Sequence, residues 1–234
     1  EKLVDRMLAD PRHGEQWAQH WLDVVRFAES EGFEYDRHLA GIWRYRDYVI
    51  RSLNADKPYD QFTLEQLAGD ELVEHASDST LGNPQSKELL VAAGFHRLGP
   101  VRRNAGNTDV AFSRNEVLTQ MTDMIGTAFL GLTVGCARCH DHMFDAIRQQ
   151  DYYQLQAFLG ATHENNIVMA TAQEQADWEK KTKVAQAEVT RIKAAIKTAK
   201  GEREFELIKE LYAAQDKLPT PLPTISSVKN DAKQ

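Results

Sequence analysis

Apolar residues recur along this chain at intervals of three and four, and no stretch keeps the strict alternation that a half-buried strand requires, so the pattern predicts a mainly α architecture. Trp17, Trp21, Val24, Val25 and Phe27 fall near helical spacing and predict a first amphipathic helix ending around Glu31 and Gly32, with its aromatic stripe in the core. A second helix covers about Trp43 to Leu53 and stops before Lys57-Pro58, because the residue preceding proline is pushed out of the helical region. Pro58-Tyr59-Asp60 then reads as a turn, Thr63 to Leu67 as the start of another helix with Gly69 near its end, and residues 76–86 as a loop. Helix returns over 87–96. The stretch from Gly99 to Asn107 holds Pro100, Arg102, Arg103, Asn104 and Gly106, suits no regular element, and reads as an irregular loop over a site. A longer helix follows from about Arg114 to Leu130.

Beyond Ala172 the chain turns rich in Ala, Lys, Glu and Gln, and apolar residues recur at Ala185, Val189, Ile192 and Ile196. Gly201 interrupts the pattern, and Phe205, Ile208, Leu211 and Tyr212 resume it, which predicts a helical hairpin packed as a short antiparallel coiled coil. The Lys and Glu between these positions read as a solvated face. Pro219, Pro221 and Pro223 alternate and predict an extended exit. The chain thus divides into an irregular helical domain over 1–165, a hairpin over 166–218 and a Pro-rich linker over 219–234 toward a further domain.

Composition narrows the function classes. A chain of 234 residues can bury a real core, and no apolar run approaches the roughly 20 residues of a membrane helix, so no membrane-spanning segment is expected. The net charge of −7 offers no basic field for phosphate backbones, which argues against nucleic acid as a partner. Residue 1 opens in a helix-like stretch without an initiator Met or a charged-then-apolar leader, and a fragment or processed chain is expected. The two cysteines sit three residues apart, too close to staple a fold.

Those cysteines carry the chemistry. Cys136-Ala137-Arg138-Cys139-His140 matches C-x-x-C-H, the attachment sequence of c-type haem. Near-helical spacing sets both sulfurs along one edge of a porphyrin for thioether bonds to its vinyl groups, and the adjacent imidazole of His140 then becomes an axial iron ligand. Gly131 and Gly135 let backbone come close to a flat macrocycle, or serve as turn residues. Three other readings stand beside this one: a zinc site built from Cys136, Cys139 and His142 with Asp141 or a distant residue, a thioredoxin-like dithiol, and a plain disulfide or pair of buried thiols. The dithiol lacks its strand and helix context.

Several separated segments extend the match. Trp43-Arg44-Tyr45-Arg46-Asp47-Tyr48-Val49-Ile50, Leu53-Asn54 with Asp56-Lys57-Pro58-Tyr59-Asp60, Gln66-Leu67-Ala68-Gly69-Asp70 and the run from Ala128 to His142 resemble the planctomycete cytochrome c-like domain, the second of two so named, over roughly residues 1–160. The resemblance implies a secreted module carrying one covalent haem within a longer protein, usually followed by a second conserved domain, and hence a periplasmic or cell-surface location. It bears on cofactor and location and names no reaction. The family's His-Asp-His-Lys-Phe-Asp-Pro run stands here as His140-Asp141-His142-Met143-Phe144-Asp145-Ala146, so Met143 and Ala146 depart from it and no role can rest on a Lys there.

The second axial face of the iron decides between electron transfer and chemistry. His96 is the leading distal candidate, ahead of His20, Met121 and Met124. Arg138 and Arg103, with Arg97 and Arg102, suit haem propionates, because a guanidinium fork matches a carboxylate; the alternative is plain surface charge. His142 and Asp141 are acid–base candidates at the haem edge. Otherwise His142 bonds a propionate or a neighbouring peptide, while Asp141 and Asp145 orient an imidazole or cap a helix. Tyr152 and Tyr153 read as packing residues. Three functions follow: a cytochrome domain passing electrons between a redox partner and the C-terminal remainder of its own polypeptide, a haem enzyme acting on a small or carbohydrate substrate, and a zinc-stabilised interaction module.

Overall fold

The computed structural model describes residues 1–33, 36–74, 83–101 and 110–230. Among these the chain is mainly helical, with one small two-stranded antiparallel sheet, and it divides into two compact units. The first comprises Glu1–Ile167 and the strand Thr224–Asn230; the second is Val168–Pro223. Among the described residues no helix is long and apolar enough to cross a membrane.

In the first unit the helices are α1 (Lys2–Leu8), α2 (Arg12–Val24), α3 (Trp43–Asn54), α4 (Tyr59–Glu74), α5 (Pro84–Ala92), α6 (Val110–Ile125) and α7 (Gln149–Phe158). Aromatic rings join them: Tyr48 of α3 stacks on Phe62 of α4 at 5.8 Å, and Trp21 of α2 meets Phe62 at 5.1 Å and Phe129 at 5.4 Å. Phe129 in turn touches Phe95 at 5.1 Å, so this run of rings reaches the segment that enters C-x-x-C-H. Polar bonds fix the register. Trp21 Nε1 donates to the Tyr45 hydroxyl at 3.0 Å, that hydroxyl donates to Gln66 Oε1 at 2.5 Å, and Gln66 Nε2 donates to the Phe62 carbonyl at 2.9 Å. Burial pushes the Tyr45 hydroxyl far above its ordinary pKa, which keeps it a neutral donor.

Four sequence expectations are corrected here. Trp17 is 55% exposed and Val24 45%, so the aromatic stripe is only partly core; with Trp21, His20 and Tyr59 these residues wall a cavity of about 420 Å³. Pro58-Tyr59-Asp60 is the entry to α4, since proline's fixed φ suits a helix start. Residues 84–86 are the first turn of α5, where Asn83 caps by accepting from the Gln85 amide at 2.9 Å and Pro84 takes a position whose amide would be orphaned anyway. The loop over 76–82 and most of the Gly99 to Asn107 loop, Arg103 included, lie outside the described residues.

The fourth correction is the sheet. β1 (Thr162–Val168) pairs with β2 (Thr224–Asn230), so the Pro-rich exit runs extended only to Pro223 and the chain then rejoins the first unit. Arg44 Nε donates to the Thr224 carbonyl at 3.2 Å and Ser226 Oγ to the Ala40 carbonyl at 2.8 Å, while Ile225 and Val228 are buried.

The second unit is the expected hairpin of α8 (Ala172–Ile196) and α9 (Glu202–Gln215), turned at Gly201. Its core is Val189, Ile192, Leu207 and Ala214, with Leu211 packed against them. Leu207, Leu211 and Ala214 form the α9 stripe, so Phe205 and Tyr212 fall outside the seam and are 60% and 65% exposed.

Candidate functional site

The motif sits where α6 gives out. Past Ile125 the helix loosens into a π turn over Gly126–Leu130, and the chain reverses at Gly131, whose φ of 64° is the left-handed region that favours glycine. A 3-10 turn, Val134–Arg138, follows. Residues three apart eclipse on such a turn, so buried Val134 and Ala137 anchor one side while Cys136 and Cys139 come out together on another. Both thiols are free and exposed, which argues against the buried-thiol reading. Gly135 permits a close approach of α6: a Cβ there would lie 2.6 Å from Asp123 Oδ1. Burial pushes the Asp123 carboxyl up from its ordinary range, with Arg26 and Arg138 opposing the shift, and Oδ1 is buried without a hydrogen-bond partner.

The two histidines after the cysteines stand in opposite states. His140 is exposed, and its Nδ1 lies 2.7 Å from the Asp141 carbonyl oxygen. A carbonyl only accepts, so Nδ1 carries the hydrogen and Nε2 keeps its lone pair; this is the hydrogen bond that commonly orients a metal-binding imidazole. The His142 side chain is only 5% exposed. Its Nδ1 accepts from the amides of Asp145 at 2.9 Å and Phe144 at 3.3 Å, so Nε2 bears the hydrogen and donates to Thr133 Oγ1 at 3.1 Å. One imidazole thereby ties the loop after the motif to the residue before it.

The acid–base pair expected at the haem edge is thus engaged in holding structure. Asp141 Oδ1 accepts from the Gln149 amide at 2.8 Å and caps α7, the capping alternative foreseen for it. Asp145 Oδ2 lies 3.4 Å from His142 Nδ1. Arg138 is paired with Glu116 at 2.9 Å, half-exposed at the edge of the motif, and its carbonyl accepts from Gln149 Nε2 and the Tyr153 hydroxyl, both at 3.0 Å. Tyr152 is a packing residue as expected, 1% exposed, whereas Tyr153 is a hydrogen-bonding one. Sequence reasoning missed Gln149 and Tyr153, although their spacing of four on one helix face was the available signal. It also missed Thr133, Glu116 and Asp123, for which no local signal exists.

The remaining candidates lie elsewhere. His96 is buried, with Nε2 3.1 Å from the Leu67 carbonyl, and it lines a cavity that includes none of Cys136, Cys139 or His140. Arg97 is 4% exposed and joined to Asn166, Glu164 and the Ser227 carbonyl, which makes it a link to the sheet and not a partner for a propionate. Met121 and Met124 are buried, the latter receiving Arg26 Nη2 at Sδ, 3.7 Å away. His20 is exposed, 5.5 Å from Trp17 ring to ring. Among the described residues no group of three or more His, Cys, Asp or Glu is arranged to hold a metal ion, and the His142 of the zinc reading has both nitrogens engaged.

The donor set does fit a porphyrin held through two sulfurs. Two exposed thiols three residues apart precede an exposed imidazole with a free lone pair, and Leu130, Met143 and Phe144 present apolar surface nearby in sequence at 58%, 77% and 89% exposure. The profile of the family described as PSCyt2, protein of unknown function (DUF1549), matches residues 1–164. No curated protein and no solved structure matches.

Proposed function

The chain belongs to the PSCyt2 family, and on that premise we propose that it is a c-type cytochrome domain that carries one haem covalently through Cys136 and Cys139, with His140 as an axial ligand. It acts in electron transfer within a larger secreted protein, at the periplasm or cell surface, between a redox partner and the C-terminal remainder of its own polypeptide. The observation that carries this reading is the pairing of two exposed free thiols with an imidazole whose Nδ1 is already bonded, leaving Nε2 for iron. When bound, the haem supplies a one-electron couple.

The chain's own residues do the holding. Val134 and Ala137 pin the turn, His142 closes the loop through Thr133, and Gln149 and Tyr153 fix the Arg138 carbonyl between the two cysteines. Arg138 can exchange Glu116 for a propionate at its half-exposed position. The enzymatic reading is weaker, because a general acid or base needs a free proton site and both ring nitrogens of His142 are occupied.

The test is export of the chain in a host with a working haem c maturation system. The expected product is red, gains the mass of one haem, and gives the pyridine haemochrome of a two-thioether haem. Replacing both cysteines by Ser abolishes attachment. Colourless protein whose two thiols alkylate freely, from a host that matures a control cytochrome, refutes the proposal; stoichiometric zinc in that protein supports the interaction module instead.

A further inference from the structure

Away from the motif, α6, strand β1 and the 3-10 turn Ala93–Arg97 line a cavity of about 420 Å³, within the range of roughly 300–1,000 Å³ typical of small-molecule sites. His96, one of its lining residues, carries an unmet acceptor. His96 is 6% exposed, and its Nε2 faces the Leu67 carbonyl, which only accepts; Nε2 therefore carries the hydrogen and Nδ1 the lone pair. Nδ1 is buried and has no hydrogen-bond partner. A buried acceptor in this state calls for a donor, and the tautomer fixes which kind of group can supply it.

Arg97 and Glu164 oppose each other at 3.5 Å, while the hydrogen bonds of Arg114 among the described residues go to the carbonyls of Leu159, Gly160 and Thr162, at 3.4, 3.2 and 2.6 Å. Those carbonyls fix the guanidinium in place without cancelling its charge. Burial pulls the Arg114 pKa down, against the attraction of Glu164, the mark of a cation drawn away from water. Leu98 and Val117 add apolar wall.

We propose that this cavity binds a small organic anion that also bears a hydroxyl group: the anionic end meets Arg114, the hydroxyl donates to His96 Nδ1, and the carbon skeleton lies against Leu98 and Val117. A simple alcohol lacks the charge, and a simple fatty acid lacks the donor. The site is independent of the haem reading, because it uses no residue of C-x-x-C-H.

Isothermal titration of the whole chain tests it with four probes: D-gluconate and glycerol 3-phosphate as hydroxylated carboxylate and phosphate, sorbitol as the uncharged polyol, and hexanoate as the hydroxyl-free acid. Saturable binding of gluconate or glycerol 3-phosphate is expected, with both controls weaker by about tenfold or more, the scale of one lost charged or buried hydrogen bond. Val117→Phe narrows the cavity and weakens binding while circular dichroism reports an intact fold. His96→Leu lowers the affinity for the hydroxylated anion to the level of hexanoate and leaves hexanoate itself unchanged. No binding of either hydroxylated anion, equal binding of the controls, or an affinity unchanged by Val117→Phe overturns the proposal.

Discussion

Replacing His142 by Ala separates the two histidines of the motif by measurement. The ring makes three hydrogen bonds, to Thr133 Oγ1 at 3.1 Å and from the amides of Asp145 and Phe144 at 2.9 and 3.3 Å. Each such bond contributes about 0.5–1.5 kcal/mol net, and the two amides lie in an exposed loop where water can replace the ring, so they belong at the low end. The expected loss is about 1.5–2.5 kcal/mol. For a unit of this size each kcal/mol moves Tm by roughly 2–4 °C, so thermal unfolding of the haem-free protein, followed by far-ultraviolet circular dichroism, should shift down by roughly 3–10 °C. His140→Ala removes an exposed ring bonded only to the next residue's carbonyl, and its cost is expected within about 0.5 kcal/mol. In haem-loaded protein the order reverses: His140→Ala changes the coordination spectrum and His142→Ala keeps it. Equal destabilisation by the two substitutions, or an altered iron spectrum in His142→Ala with Tm unmoved, would refute the reasoning.

Tyr45→Phe leaves Gln66 Oε1 and Trp21 Nε1 without their partner in a buried network and is expected to cost about 1–3 kcal/mol, read from the urea midpoint. Asp123→Asn should stabilise the protein at neutral pH. Burial raises the folded-state pKa of that carboxyl, so protonation favours the fold, and the stability this provides is present below the unfolded pKa and lost as pH rises through the folded one. The gain from Asn therefore shrinks toward zero as pH falls below the ordinary carboxylate range, and a gain independent of pH would contradict it. Gly135→Ala drives a methyl against the Asp123 carboxylate, at an expected cost of about 1–3 kcal/mol. The double substitution with Asp123→Ala should recover part of that loss, since neighbours in contact are non-additive; strict additivity in chemical denaturation would show that the two do not meet.

Helices were legible where burial follows a single stripe. Trp43–Asn54 and the hairpin helices carry their apolar residues at helical intervals, and Gly201 breaks the second pair where a turn is needed. The sheet was not legible, for a reason visible in its burial. In β2 the residues Ile225, Ser226, Ser227 and Val228 are all buried, so two serines stand where alternation would need a contrast. In β1 only Thr162 is buried; Glu164 and Asn166 are exposed, and of the partly buried residues His163, Asn165 and Ile167 beside them two are polar, so hydropathy does not follow the burial. The short helix α7 escaped for a similar reason: Tyr152 and Gln156 are its only buried positions, and one of them is polar.

At the site, sequence revealed what is local and hid what is not. The spacing of Cys136, Cys139 and His140 is a property of five consecutive residues, so it was readable directly. The difference between His140 and His142 depends on Thr133, nine residues back from His142, and on backbone amides that close only once the loop has folded. The same fact explains how the chain tolerates Met143 and Ala146 in place of the family's Lys and Pro. The loop is held by the amides of Phe144 and Asp145 on His142 and by the His142 and Ile147 amides on the carbonyls of Ile147 and Asp145. None of these bonds involves the side chain of residue 143 or 146, and both residues are exposed. Those two changes therefore alter the exposed surface of the loop and leave the support of the imidazole at His140 untouched.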